Sequence, residues 1–478
     1  MTAPTYRPRA GSVPTLGVPS IEGIGSVHLI GIGGAGMRNL ARLLLARGIE
    51  VSGSDLKDSH GLRELEAAGA RVRVGHDAHA VGRPDAVVIS TAIREDNAEL
   101  VAAREAGIPV WARQQAIAAF AEAHRSIAVA GTTGKTTTTS MIAVVLERAG
   151  LDPTYLIGGD LNESGSGARA GRADLFVFEA DESDGSFLLS DPEIGVLTTV
   201  APDHLDFYTG GEDELRSAFA AFAVRCGRLV ACRDDAGVAD VLRVAGVDAV
   251  GYGTTDGNDV RLEVTTPGPG GARGVVSVDG ERVRLALRID GAHHLLNAAA
   301  AVAVARLVGV DPEEAARALS DFRGVHRRFE HRGRARGADF VDDYAQVPRE
   351  IAVTLEVART QRPQRVIAVV QPHRYWRTKA LWRELGDAAA AADLVVVMDV
   401  YGAEQDPIPG VTGALVVDGV RLAAPERPVV YAPHHDDAIG FLAREVRPGD
   451  LVVTLGCGDV WTVADGAIAR IREVDGDG

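Results

Sequence analysis

Lysine is nearly missing from this chain: its 478 residues hold three, Lys57, Lys135 and Lys379, against 47 arginines. Cysteine is as scarce, and Cys226, Cys232 and Cys457 are too few and too scattered for a disulfide framework or a zinc site. No apolar run approaches the ~20 residues of a membrane span. The Pro- and Gly-rich start lacks the apolar core of a secretion signal, so residues 1–24 are expected to form a flexible tail and the protein to stay in the cytoplasm. Net positive charge is lacking too, and a formal charge of −16 argues against general nucleic-acid binding. An anionic substrate must then be held by local groups such as helix ends, arginines and a metal.

What is present is ordinary globular α/β material, 46% hydrophobic and 24% charged, long enough for about three domains. The strongest local signal is Gly131-Thr132-Thr133-Gly134-Lys135-Thr136. It closes a buried strand, Ile127 to Ala130, and opens a helical run from Thr136 to Ala149. A strand, a tight glycine turn and a helix make a phosphate cradle, to which Lys135 adds a point charge and Thr136 a hydroxyl suited to Mg²⁺. The usual P-loop has a further Gly where this chain has Val129, so the short form G-T-x-G-K-T fits better. A lysine at this position runs against the composition, which favours function over a decorated αβ turn. Its replacement by Ala is expected to abolish activity with little loss of fold.

Upstream, a strand at Val27 to Ile30 leads into Gly31-Ile32-Gly33-Gly34-Ala35-Gly36-Met37, a helix to Arg47 and a second strand ending at Ser54-Asp55. This matches the dinucleotide fingerprint, with an acid about 20 residues on for a ribose hydroxyl. Alone the fingerprint is weak, since it serves NAD, FAD and other diphosphates alike. Arg94 and Arg113 are candidates for a substrate carboxylate or phosphate, although most surface arginines hold neither. Downstream of the P-loop, the strand Leu175 to Phe178 delivers Glu179-Ala180-Asp181-Glu182-Ser183-Asp184. An acid there is where Mg²⁺ needs a protein carboxylate, with Glu179 the better candidate and Asp184 better read as a helix cap. His204, after the strand Gly195 to Val200, is read as a metal ligand, a carboxylate-orienting group or a merely structural histidine. Val260 to Leu287 alternates around Asp279-Gly280 as a hairpin. Asn297, in a helix from Gly291 to Val308, either reads an adenine edge or caps and packs. After residue 325 the pattern restarts as a third α/β unit, with polar clusters at strand ends near Asp343-Tyr344, His373-Arg374 and Cys457-Asp459.

Together, GIGGAGM, SGSD, STAIREDN, GTTGKTTTT, EADESD, DHLDFY, HHLLNA, RRFE, DDYA, QPHRYWRT and GCGD resemble the Mur ligase superfamily, and most closely its alanine-adding branch. The resemblance runs from Gly31 to about Asp459. It implies three domains: a Rossmann-like UDP-sugar domain (25–123), a central P-loop ATPase-like domain (124–325) and a C-terminal Rossmann-like α/β domain for the amino acid (326–478). It also implies ATP and Mg²⁺ (or Mn²⁺), with UDP-N-acetylmuramate and an L-amino acid, L-alanine first, as substrates, in a monomer or homodimer without membrane insertion. ATP would phosphorylate the substrate carboxylate and the amine would attack the acyl phosphate, as a step in peptidoglycan precursor synthesis.

The resemblance carries roles residue by residue. Lys135, Glu179, His204 and Arg328 match catalytic positions, with Thr136, Glu179 and His204 at the metal. Gly131, Thr132, Thr133, Gly134, Lys135, Thr136, Thr137, His294, Asn297, Arg328 and Asp343 match the ATP site. Gly33, Gly34, Ala35, Gly36, Ser54, Asp55, Thr91, Arg94 and Arg113 match the UDP-sugar site, and Tyr344, Gln346, Arg374 and Arg377 the amino-acid site. Related ligases carry a carbamylated lysine in the central domain, but no lysine lies between 135 and 379 here, which favours the alanine-adding branch. The family pattern has GTHGK where this chain has Thr133, HN where it has His294, and DDYxHxP where it has Gln346 and Val347. Gln346 falls in the amino-acid pocket, so a paralogue with another amino-acid or UDP-sugar substrate is the alternative. A dehydrogenase would use only the Gly31–Gly36 turn and Asp55 and leave the P-loop without a task; a non-catalytic nucleotide-binding regulator would rest on the departures.

Overall fold

The structure, a computed structural model, describes residues 17–476 except 91, 163, 206, 269 and 404. Most of the expected tail and the Thr91 position lie outside the described residues. The chain forms three α/β sheets in two compact units that part between Arg323 and Gly324. No helix among the described residues is long and apolar enough to cross a membrane.

The first sheet holds five parallel strands in the order Arg71–Val74, Glu50–Asp55, Ser26–Ile30, Ala86–Ile89 and Val110–Ala112. The strand order reverses beside Ser26–Ile30, so the crevice of this open sheet falls at the glycine turn that follows it. Arg71–Val74 was not anticipated, because an Arg-Val-Arg-Val edge strand with no buried residue carries no core signature.

The second sheet has ten strands. The P-loop strand Arg125–Ala130 sits inside it, parallel to Ile194–Leu197 on one side and Leu175–Glu179 on the other. Its residues from Ser126 to Ala130 are all buried, as a strand covered on both faces requires. The predicted hairpin is real: Arg273–Val278 and Glu281–Ala286 pair antiparallel around Asp279 and Gly280, both at positive φ. A third strand, Val260–Thr266, joins that hairpin to the sheet edge.

These two sheets share one unit because they share one core. A single apolar cluster runs from Ile21 and Val27 through Phe120 to Phe176, Phe178 and Ala245. Polar contacts reinforce it, including Asn39 Nδ2 to the Ile157 carbonyl at 3.3 Å and Arg38 to Asp160 at 3.3 Å.

The second unit carries a six-stranded sheet, with Asp450–Leu455 and Arg365–Val370 in the middle and Ala338–Asp343 beside Asp450–Leu455. Its first strand, Glu330–Ala335, is an antiparallel edge. Apolar clusters cover both faces, one around Val341, Leu355 and Val453, the other around Phe340, Leu442 and Ile468.

Candidate active site

The helix Lys135–Arg148 begins where the P-loop strand ends, and the turn between them is cut to a close fit. Gly131 has φ +140°, and a Cβ there would meet Thr198 Oγ1 at 2.1 Å and the Thr199 backbone at 2.9 Å. Gly134, the N-cap, is left-handed at φ +84°. The neighbouring strand end holds the turn in shape. Thr132 N donates to the Thr199 carbonyl at 2.8 Å, Thr133 N to Thr199 Oγ1 at 2.9 Å, and Thr198 Oγ1 to the Thr133 carbonyl at 2.6 Å. With the turn braced from outside, the N-terminus of the helix Lys135–Arg148 stands directly after it, the end at which a helix offers its first N–H groups to an anion. Asn297 is buried beside this turn, its Oδ1 within 3.1 Å of a Cβ built at Gly134, and His294 is buried one turn earlier on the same helix.

Lys135 reaches back over the turn. Its ammonium bonds both oxygens of Glu182, at 2.8 and 2.9 Å, and the Gly131 carbonyl. Those contacts use all three N–H donors of a lysine. Burial opposes the ammonium's charge, but Glu182, Asp181 and Glu179 outweigh it and hold its pKa above the ordinary value. Burial pushes Glu182 up against the pull of Lys135. Glu182 is 1% exposed, and its carbonyl is anchored by the Tyr208 hydroxyl at 2.5 Å. The acids after this strand form a wall in which Glu182 is buried and Glu179, Asp181 and Asp184 are half-buried. Asp184 accepts from Ser186 N at 3.0 Å, just before a short 3₁₀ turn whose N-cap is Gly185.

Glu179 ends the strand beside the P-loop and accepts from Gly158 N at 2.8 Å. His204 takes φ +54° and sets Nε2 3.4 Å from Asp203 Oδ2. Among the described residues no three His, Cys, Asp or Glu side chains form a metal cage. One carboxylate and the buried Thr136 hydroxyl at a phosphate cradle is instead the sparse oxygen set Mg²⁺ takes, with phosphate and water completing the shell. The residues present fit that ion, and Thr136 and Glu179 would hold it.

The Gly31–Gly36 turn is closed by Asp55, whose Oδ2 accepts from Gly33 N at 3.0 Å. Ser54 is fully buried: its hydroxyl donates to Glu99 at 2.5 Å and bonds His76 Nδ1 at 2.8 Å. It braces the strand end from behind, in a network with His28 that sequence motifs did not reveal. Arg113 lies across Gly36, where a Cβ would meet its Nη1 at 2.1 Å, and stands 4.0 Å from Asp181. It thus links the glycine turn to the acid wall. Gly34 and Ala35 start the helix Ala35–Ala46, which has no side-chain cap. Arg94 is an exposed side chain 3.4 Å from Asp96, next to Ile93, which packs on Gly31.

In the second unit Asp343 ends an inner strand and accepts from Phe329 N at 2.8 Å and Ala345 N at 2.9 Å. Burial raises its pKa to about 6 against the opposing charge of Arg328. Arg327 and Arg328 both lie over the Tyr344 ring, 5.1 Å from its centroid. Arg327, not singled out in the sequence, bonds Asp342 at 2.8 Å and the Gly456 and Gly458 carbonyls, so it is a structural tie. Arg374 caps the helix Tyr375–Ala389 from the left-handed region at φ +66°. Arg377 lies one turn on and bonds Gln346 Oε1 at 2.8 Å.

A braced phosphate cradle with a largely buried lysine, an acid wall and a second glycine turn in one unit define an α/β protein built like a phosphate-binding one. Comparison with known proteins narrows this. Residues 26–125 match the model of the Mur ligase family catalytic domain, 129–305 the Mur ligase middle domain and 327–458 the Mur ligase glutamate ligase domain. The chain belongs to the Mur ligase family. It is 47% identical to the UDP-N-acetylmuramate–L-alanine ligase of Saccharopolyspora erythraea, covering 94% of each chain. It is also 47% identical to that of Kineococcus radiotolerans, covering 95% of this chain and 98% of the other. Among solved structures, the UDP-N-acetylmuramate–alanine ligase of Thermotoga maritima is similar at 27% identity and a TM-score of 0.80, over 94% of this chain and 99% of that one.

Proposed function

We propose that this chain is an ATP-dependent ligase that joins L-alanine to the carboxylate of UDP-N-acetylmuramate in the cytoplasm, supplying peptidoglycan precursor. The observation that carries the reading is Lys135, largely buried and charged at the mouth of a braced P-loop, in a chain matching alanine-adding relatives along 94% of its length. The Gly31–Gly36 turn and Arg113 take the UDP-sugar, and the first turn of the helix Lys135–Arg148 takes the triphosphate. A carboxylate oxygen of the sugar acid attacks the γ-phosphorus and ADP leaves. The amine of the amino acid then attacks the acyl carbon, expelling phosphate and losing a proton. Lys135 steadies the charge on the transferring phosphoryl group. Bound Mg²⁺ supplies further charge neutralisation there.

Tyr344, Gln346, Arg374 and Arg377 form the amino-acid site, with Arg328 and Asp343 for the nucleotide. Gln346 favours one second reading, a paralogue using another acceptor. Phosphate release with Mg²⁺-ATP and UDP-N-acetylmuramate, run against L-alanine, L-serine and glycine, separates the two. Dependence on L-alanine supports the first reading; dependence on another amino acid alone supports the second, and release that needs no amino acid refutes both.

A further inference from the structure

Thr199, just past the strand Ile194–Leu197, commits its whole hydroxyl to one residue of the P-loop turn. Its Oγ1 accepts from Thr133 N at 2.9 Å, lies 3.0 Å from Thr133 Oγ1 and stands 3.3 Å from the Thr133 carbonyl. One assignment satisfies every proton: Thr133 donates from N and from Oγ1 to the two lone pairs of Thr199, which donates its own proton to the Thr133 carbonyl. The Thr199 carbonyl holds the residue before, accepting from Thr132 N at 2.8 Å. Two successive peptide N–H groups of the turn are thus held by one residue.

The strap that carries Thr199 is itself fixed on both sides. Before it, Thr198 N donates to the Ala130 carbonyl at 3.1 Å and Thr198 Oγ1 to the Thr133 carbonyl at 2.6 Å. After it, Val200 N donates to Asp235 Oδ1 at 3.0 Å and Ala201 N to Thr132 Oγ1 at 2.9 Å. Asp235 is the N-cap of the helix Ala236–Ala245, and a Cβ on Gly237 would run into the Val200 carbonyl, so that helix sits hard against the strap. Position 133 is also where the chain departs from the GTHGK pattern. Histidine has carbon at the γ position, so it cannot make the contact that Thr133 Oγ1 makes.

We propose that Thr199 is a positioning residue for the triphosphate, its hydroxyl setting the orientation of the Thr133 peptide, and that Thr133 stands in place of the family's histidine because Thr199 is its partner. This rests on the reading that the turn from Gly131 to Thr136 takes the phosphates of ATP. Thr199 acts through the turn and not on a reacting atom. A turn set in advance need not be ordered when the nucleotide arrives.

Thr199→Val keeps the β-branched shape and removes only the hydroxyl. Thr133 and Thr199 are half-buried, so the released N–H and hydroxyl of Thr133 turn to water and the fold is spared while the orientation is lost. The Kd for Mg²⁺-ATP by calorimetry should rise about tenfold, with the KM for UDP-N-acetylmuramate and the melting temperature near wild type. Thr199→Ser keeps the hydroxyl and should bind ATP as the wild type does. Thr133→Val should also weaken ATP, and the Thr133→Val/Thr199→Val double variant should bind no worse than Thr199→Val, because both changes remove one interaction. Thr133→His, which returns the family residue without changing its partner, should weaken ATP as Thr133→Val does. A wild-type Kd in Thr199→Val, with or without a lower melting temperature, or single effects that multiply in the double variant, would overturn the proposal. So would tighter ATP binding by Thr133→His. If the wild type binds UDP-N-acetylmuramate but no Mg²⁺-ATP, the reading of the turn as the ATP site has failed, and the proposal with it.

Discussion

Lys135 shows how a residue's role and its stability become entangled. Its ammonium neutralises a carboxylate that is almost wholly buried, so Lys135→Ala leaves Glu182 without its partner. Breaking a buried pair from one side costs about 3–5 kcal/mol. The expectation that this change spares the fold is therefore revised: it should abolish ADP formation and also lower the melting temperature. A Lys135→Met/Glu182→Gln double variant should recover most of the stability and none of the activity, as a thermal melt and a coupled ADP assay on the same samples would show. If the double variant melts no higher than Lys135→Ala, the ion pair is not the cause.

The same pair bears on nucleotide affinity. With all three lysine donors engaged, a phosphate oxygen must displace Glu182 or the Gly131 carbonyl. In Glu182→Gln the competitor is neutral, and the Kd for ATP by calorimetry should fall by about tenfold. A Kd that stays level or rises would mean that Glu182 aids binding instead.

Asp343 carries the pH dependence. Its folded pKa, raised to about 6 from 3.8, lies above the unfolded value. The folded state then holds its proton more tightly, so this group's contribution is fully present below pH ~4 and is lost as pH rises through about 6, a difference of about 3 kcal/mol. Asp343→Asn does not titrate. Its stability relative to wild type should therefore improve between pH 4 and 6 and level off above, and a constant difference across that range would contradict the assignment.

At the scale of elements, the part of the helix Tyr375–Ala389 beyond its kink at Leu381 is positioned by a glycine contact. A Cβ on Gly386 would lie 2.3 Å from the Gly419 carbonyl carbon and 2.4 Å from Val420 N. The helices Tyr375–Ala389 and Ala414–Ala423 thus pack backbone to backbone. Gly386→Ala forces them apart, at a cost of about 1–3 kcal/mol for overpacking. The helix kinks at Leu381, between Gly386 and Arg377, so the strain should show in the melting temperature more than in the KM for the amino acid. A variant with wild-type stability and wild-type KM values would show that the helix pair gives way without strain.

At the scale of the molecule, a three-domain chain is held in two compact units because one apolar cluster serves the first two sheets. Elements that share a core unfold together. Scanning calorimetry should resolve two transitions rather than three, and Phe120→Ala should lower the one that contains the P-loop even though Phe120 precedes the P-loop strand. Three separable transitions would show that the shared core does not couple the sheets.

Much of the chemistry was legible along the chain, because it depends on neighbours in sequence. The glycine turns, the lysine at the head of a helix and the acid at the end of a strand follow from local backbone geometry and from side-chain types at short spacing. The hairpin at Asp279-Gly280 follows for the same reason. What only the tertiary structure decided joins residues far apart in number. Strand order places Thr198 and Thr199 against the P-loop and sinks Glu182 beside Lys135. Ser54 turns inward to Glu99 and His76, and Cys457 meets the amide of Gln346 from 111 positions away. Periodicity reports which face of an element is buried, but not which other element covers it. That depends on how the sheets are ordered and how the core closes, and only there did the buried charges find their partners.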